Sequence, residues 1–278
     1  MNVLEFTGLL WLGSLAAGFL GALTGLGGGV VIVPLMVLVF NIDLRYAIGA
    51  SLVSVIATSS GAAAAYVKEG YSNIRIGMFL EIATTLGALG GAYLAVVVQP
   101  EAITVVFGAV LIFSALLSAR NRPDAQYDGQ PDRLASRLRL SGTYPTPEGW
   151  QSYHARHIPS GFGLMALAGL LSGLLGIGSG AFKVLAMDQV MRLPFKVSTT
   201  TSNFMIGVTA AASAGVYLQR GYIAPGLAMP VMLGVLVGSV LGTRVLVRAG
   251  TRALRIVFGL VILALGIEMI YKGLTGGL

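Results

Sequence analysis

Ten apolar segments separated by short polar breaks organise the chain. In the first half they run roughly 4–24, 29–40, 45–67, 74–98 and 101–119; in the second, roughly 159–175, 180–192, 196–219, 223–246 and 251–271. Most hold about 20 residues, the length of helix that crosses a hydrocarbon core at 1.5 Å per residue. The second segment of each half has only about a dozen, too few to cross alone, and follows its neighbour across a glycine cluster. Residues 120–158 are polar and rich in Pro, Arg and Asp, with room for at most a short amphipathic turn around Leu134 to Leu140.

The halves are related in sequence. A shift of 151 residues lays Gly18-Phe-Leu-Gly-Ala-Leu-Thr-Gly-Leu-Gly-Gly-Gly29 on Gly169-Leu-Leu-Ser-Gly-Leu-Leu-Gly-Ile-Gly-Ser-Gly180 without a gap. The same shift pairs Ser51 with Ser202, Thr58 with Thr209, Tyr66 with Tyr217, Gly87 with Gly238 and Phe107-Gly108 with Phe258-Gly259. Internal repeats of this kind build many transporter folds. The reading is two repeats, 1–119 and 159–278, joined by a linker loop at 120–158.

Each short segment either continues its neighbour as one broken helix or returns as a hairpin. Four spans per half make the repeats parallel; an odd number makes them inverted. Basic residues decide between the two, because cytoplasmic loops collect Lys and Arg. With inverted repeats one side holds Lys68, Arg75, Arg120, Arg122, Arg133, Arg137, Arg139, Arg156, Arg192, Lys196, Arg244, Arg248, Arg252 and Arg255, and the other holds Arg45, Arg220 and Lys272. Parallel repeats spread the same charges almost evenly. The expected fold is therefore an all-α polytopic membrane protein of two inverted repeats, each a Gly-broken helical hairpin plus three transmembrane helices. The linker is expected in the cytoplasm, the termini outside and the chain in the cell (inner) membrane.

Composition supports the membrane assignment. Of 278 residues, 55% are hydrophobic and 10% charged, against about 25% charged in soluble domains. The net charge of +7 lies in loops where it orients helices, so nucleic acid is not an expected partner; the lipid bilayer is, and a homodimer stays open. There is no cysteine, which excludes disulfides and thiolate metal sites. His154 and His157 alone make a weak metal signal, so neither a metal nor a cofactor is expected.

Candidate chemistry concentrates at the breaks. Gly25-Leu-Gly-Gly-Gly29 and Gly176-Ile-Gly-Ser-Gly180 permit unwound backbone, which at membrane depth is tolerated only where protein buries it or it lines a cavity. Each cluster leads into a short helix whose first amide groups suit an anion. Substrate contacts are expected from Gly27, Gly28, Gly29, Ser51, Gly178, Ser179, Gly180, Lys183, Thr201, Ser202 and Asn203. Lys183 sits inside an apolar segment, where lysine costs about 2.5–3.5 kcal/mol on insertion scales and so faces a cavity, a partner or a ligand; the competing structural role is an ion pair with Asp188. Glu81 is a proton-coupling candidate, competing with an interface ion pair to Arg75. Gly87, Gly90, Gly91, Gly234, Gly238 and Gly242 read as helix-packing positions.

The duplicated Gly-x-Gly-Gly-Gly-like motif, preceded by Gly-Phe-Leu-Gly in one half and Ser-Gly-Leu-Leu in the other, resembles the sulfite exporter TauE/SafE family over nearly the whole chain outside the linker. The resemblance implies export of sulfite, an organosulfonate or a related small anion without a nucleotide-hydrolysing domain. Gly27-Gly28-Gly29 and Gly49-Ala-Ser51 match the family pattern. Ser179 stands where a glycine is common, and Lys183 and Asp188 occupy a usually apolar helix. The leading expectation is a transporter, in the export direction, of a small sulfur-containing anion by alternating access around a midplane site. The alternatives are another small anion (carboxylate, sulfate or thiosulfate) and an intramembrane enzyme, for which the chain offers neither a nucleophile elbow nor paired aspartates.

Overall fold

Apolar side chains leave lipid-exposed backbone no partner but itself, so the segments fold as helices. The computed structural model describes residues 2–24, 28–68, 72–119, 132–146, 149–248 and 251–276. The first half comprises α1 (Val3–Thr24), α2 (Gly29–Pro34), α3 (Leu44–Lys68), α4 (Ile74–Val97) and α5 (Pro100–Ala119). The linker contributes α6 (Arg133–Arg137) and an antiparallel hairpin of β1 (Gly142–Thr146) and β2 (Gly149–Tyr153). The second half comprises α7 (Ile158–Leu175), α8 (Gly180–Leu185), α9 (Phe195–Gln219), α10 (Pro225–Arg248) and α11 (Thr251–Thr275). Among the described residues, Val3–Gly21, Ile74–Val97, Ile158–Leu175 and Pro225–Gly242 are long and apolar enough to cross a membrane.

The repeat extends to single hydrogen bonds. α2 and α8 each run on into a π-helical turn, Leu35–Val39 and Ala186–Val190. Each turn ends at a left-handed non-glycine residue, Asn41 (φ 50°) and Arg192 (φ 58°). Ile42 N donates to Met36 O at 3.0 Å, and Leu193 N to Met187 O at 2.9 Å. All these pairs stand 151 positions apart, so two different local sequences are held in one backbone form.

Both short segments fold back along the helix before them. Arg156 N, at the start of α7, donates to Met191 O at the end of the second segment (3.0 Å), and the His157 ring lies 3.2 Å from Val190 O. In the first half the rings of Phe6 and Phe40 meet edge to face at 5.8 Å. The reversal in the second half rests on three left-handed residues, Gly176 (φ 68°), Gly178 (φ 69°) and Ser179 (φ 43°). Only glycine adopts this conformation without strain, so Ser179 needs the hydrogen bond its hydroxyl makes to Ala168 O.

Between halves, α1 packs on α10 as α7 packs on α4, α3 on α10 as α9 on α4, while α3 meets α9 and α5 meets α11. Glycines set these approaches. A Cβ at Gly87 would stand 2.0 Å from Ala166 O, and one at Gly238 2.0 Å from Leu15 O, again repeat equivalents. Gly91, Gly169, Gly173 and Gly234 do the same work. Gly90 does not: no atom of a neighbouring element lies within 4 Å of its Cβ position, so its reading as a packing glycine is corrected.

The linker exceeds the single turn expected of it, and its hairpin adds strand to an otherwise helical fold. Ala135, Leu140, Tyr153 and Ala155 are buried with Ile76, Leu80, Met187, Leu193 and Val197. Asn73 ties the layers together: its Oδ1 caps α4 at Ile76 N (3.0 Å), its Nδ2 donates to Tyr153 Oη (2.7 Å), and its backbone N–H donates to Thr201 Oγ1 (3.0 Å). A polar composition hid this docking, because few apolar or aromatic side chains of the linker carry it.

Candidate substrate site

Gly29, the last residue of the first cluster, meets the second cluster at Gly176. A Cβ at Gly29 would lie 2.8 Å from both Ser51 Oγ and Val55 Cγ2, and 3.2 Å from Gly176 O of the other half. Gly180 repeats this against Ile206 and Ser202, the equivalents of Val55 and Ser51, and Gly178 touches both Ile206 and Val55. Gly28 packs on Val235. Gly27 lies outside the described residues. The bare backbone of each cluster is what lets α3 and α9 approach this closely.

Several hydroxyls expected to line a path are spent on backbone instead. Ser51 Oγ donates to Gly176 O at 2.8 Å and so clasps one half to the other. Ser202 Oγ donates to Gly180 O at 3.3 Å, and Thr201 belongs to the Asn73 junction at the linker end of α9. Asn203 is half-buried on the same helix. In a membrane interior an unpaired carbonyl is costly, and the irregular backbone of the clusters has carbonyls to satisfy.

The charged residues form a separate cluster one helical turn further along. Lys183 is completely buried, and its Nζ donates to Thr209 Oγ1 at 2.6 Å. Thr209 Oγ1 in turn donates to Glu81 Oε1 at 2.7 Å, with Met205 O at 2.9 Å. Thr85 Oγ1 adds a second hydrogen bond to Glu81 Oε1 at 3.1 Å, while Glu81 Oε2 is buried with no hydrogen-bond partner. One threonine hydroxyl thus joins an ammonium on α8 to a carboxylate on α4. Lys183 turns to Thr209 and Glu81, and Arg75 sends its guanidinium to Arg139 O at 3.1 Å.

The sequence marks Lys183 and Glu81 as separate candidates and Thr209 only as the repeat partner of Thr58. Their juxtaposition depends on α4 and α9 crossing, which no local spacing encodes. The repeat carried a usable signal: the equivalents of Lys183, Thr209 and Glu81 are Ile32, Thr58 and Met232, so the two charges depart from the repeat around a shared threonine.

A bundle of apolar helices with broken segments and a buried ionic cluster at its heart defines a polytopic helical membrane protein. The chain belongs to the sulfite exporter TauE/SafE family, whose description matches residues 10–269, and it is a membrane transporter. It is 27% identical to "Probable membrane transporter protein YunE" of Bacillus subtilis (strain 168), covering 98% of this chain and 99% of the relative. A "Probable membrane transporter protein" of Xylella fastidiosa (strain 9a5c) is 25% identical over 92% of this chain and 91% of its own. YdhB of Bacillus subtilis, also named a probable membrane transporter protein, is 24% identical over 85% of this chain and 87% of its own. No solved structure matches at a significant level.

Proposed function

We propose that the protein carries a small sulfur-containing anion, sulfite or an organosulfonate, across the cell (inner) membrane, outward when the anion accumulates inside. The observation that carries this reading is Lys183, a fully buried ammonium one turn from the meeting point of the two glycine clusters. A buried cation is retained where it has a counter-charge to hold, and an anionic substrate supplies one at the moment of transport. Gly28, Gly29, Gly178, Ser179 and Gly180 would form the floor of the site, with Ser51 and Ser202 keeping it in register. The family description supports a sulfur oxyanion as cargo.

Alternating access follows from the architecture as a proposal. The folded-back short segments support an odd number of crossings per half and hence inverted repeats, and the basic residues then favour a cytoplasmic linker with external termini. The experiment is radiolabelled sulfite flux into liposomes holding the purified chain, with sulfoacetate, thiosulfate, sulfate and acetate as competitors. Saturable flux inhibited best by the sulfur anions is expected. Flux inhibited only by acetate assigns the site to carboxylates, and no flux of any of them overturns the reading.

A further inference from the structure

We infer that each anion crossing this transporter is accompanied by one proton, bound by Glu81 when the incoming anion replaces that carboxylate as the counter-ion of Lys183. The inference rests on the anion-transport reading above.

Lys183 and Glu81 offset each other's charge. Lys183 and Glu81 are both buried, 0% and 7% exposed, and are linked through Thr209 Oγ1 by contacts of 2.6 and 2.7 Å. Of the elements around Glu81, α7 carries no titratable side chain, α9 carries Lys196 and Tyr217 toward its ends, and α4 itself carries Arg75 and Tyr93. The charge that acts on Glu81 is Lys183 of α8. An anion arriving at Lys183 would therefore leave two negative groups on one cation in an apolar interior, the arrangement that burial penalises most.

A proton removes the excess. It comes from the water to which the site is then open and forms an O–H bond at Glu81; Oε2, buried and unpartnered, is vacant for it. Lys183 stays an ammonium and no bond of the substrate breaks. Before binding the site holds one positive and one negative charge; after binding it holds the ammonium, the anion and a neutral acid. On the other side the anion leaves, the proton leaves, and the carboxylate returns to the Thr209 hydroxyl. Threonine suits this hinge because one hydroxyl accepts from the ammonium and donates to the carboxylate, or to Met205 O at 2.9 Å once the carboxylate is neutral.

The repeat-equivalent positions form no second coupling site. Ile32 and Met232 replace the two charges, and Thr58 Oγ1 bonds within its own helix to Ser54 O at 3.0 Å. The stoichiometry is thus one proton for a monovalent anion, and its transport is electroneutral.

The test uses radiolabelled methanesulfonate and sulfoacetate, whose charges stay fixed near neutral pH, with the full-length chain in liposomes containing a pH-sensitive dye. One proton is expected to move with each methanesulfonate, in the same direction. An imposed pH gradient should drive accumulation, and clamping the membrane potential should leave the methanesulfonate rate unchanged. In Glu81→Gln the remaining flux should carry no protons, and Glu81→Asp should restore coupling. Sulfonate flux without proton movement in the wild type, which needs no variant to fold, overturns the inference while the transport reading stands. So does full coupling in Glu81→Gln. No flux of either sulfonate overturns the inference, and the transport reading falls with it only if sulfite flux is absent as well.

Discussion

Thr209 is an ordinary helical hydroxyl by sequence and the bridge of an ionic cluster by structure. Replacing it with valine keeps the shape but leaves a buried ammonium and a carboxylate oxygen each short of a partner. Such losses cost about 1–3 kcal/mol per group, more for charged ones. Thr209→Val should lower the melting temperature of the purified protein in detergent more than Thr58→Val, whose hydroxyl only bonds its own helix. An equal effect of the two would mean that the bridge contributes nothing. Lys183 was legible in the sequence because a lone charge in an apolar run is costly wherever it lands. Its partner was not, since Glu81 lies 102 positions away and meets it only through helix crossing. Ser51, Thr201 and Ser202 were legible as polar positions. Their roles were not, because a hydroxyl offers the same atoms to a ligand and to a nearby carbonyl.

Among elements, the α4–α7 and α1–α10 pairs depend on glycines whose missing Cβ lets backbones touch. Gly87→Ala would press a methyl against Ala166 O and should cost roughly 1–3 kcal/mol, as overpacking does. Gly90→Ala, three residues along the same helix, meets nothing and should be neutral or stabilising by up to about 1 kcal/mol through helix propensity. Thermal unfolding in detergent reads both; equal destabilisation would contradict the close-approach account. Helix positions were readable from the apolar runs because a membrane span has one length scale and few interruptions. The reversal at Gly176–Ser179 was not readable from the glycine cluster itself, which permits a bend and a turn alike, but only from the distribution of Lys and Arg, which favoured the hairpin. The strand hairpin escaped notice because its stability comes from docking on α4 and α9 and not from any alternation of its own.

That docking has a pH signature. Tyr153, in the linker, is buried, and burial pushes its phenol above the ordinary tyrosine value, opposed by the Asn73 hydrogen bond. An undocked linker loses the phenolic proton first, so docking is at full strength below about pH 10 and weakens as pH rises through the docked value. Tyrosinate absorbance of Tyr153 should therefore appear at higher pH than that of an exposed tyrosine, together with protease sensitivity of the linker. Tyr153→Phe should show that sensitivity at neutral pH.

On the scale of the whole molecule, the repeat, the charge bias and the folded-back segments all bear on orientation. The chain has no cysteine, so single replacements at the exposed Asn2 and Ser152 report cleanly. A membrane-impermeant maleimide should label Asn2→Cys in intact cells and Ser152→Cys only after lysis; the reverse pattern would invert the topology, and labelling of both in intact cells would make the linker external. The repeat is asymmetric in its charges: Glu81 of the first half and Lys183 of the second meet at Thr209, while the positions equivalent to the two charges are the apolar Ile32 and Met232.

The central claim is that Lys183 binds the transported anion, and its most direct test is sulfite flux in liposomes compared among wild type, Lys183→Ala, Lys183→Arg and Gly28→Leu at matched protein density. The account predicts at least a tenfold loss (about 1.4 kcal/mol) for Lys183→Ala, partial recovery with arginine, and loss for Gly28→Leu, with all four proteins monodisperse. Wild-type flux in a monodisperse Lys183→Ala protein would contradict it.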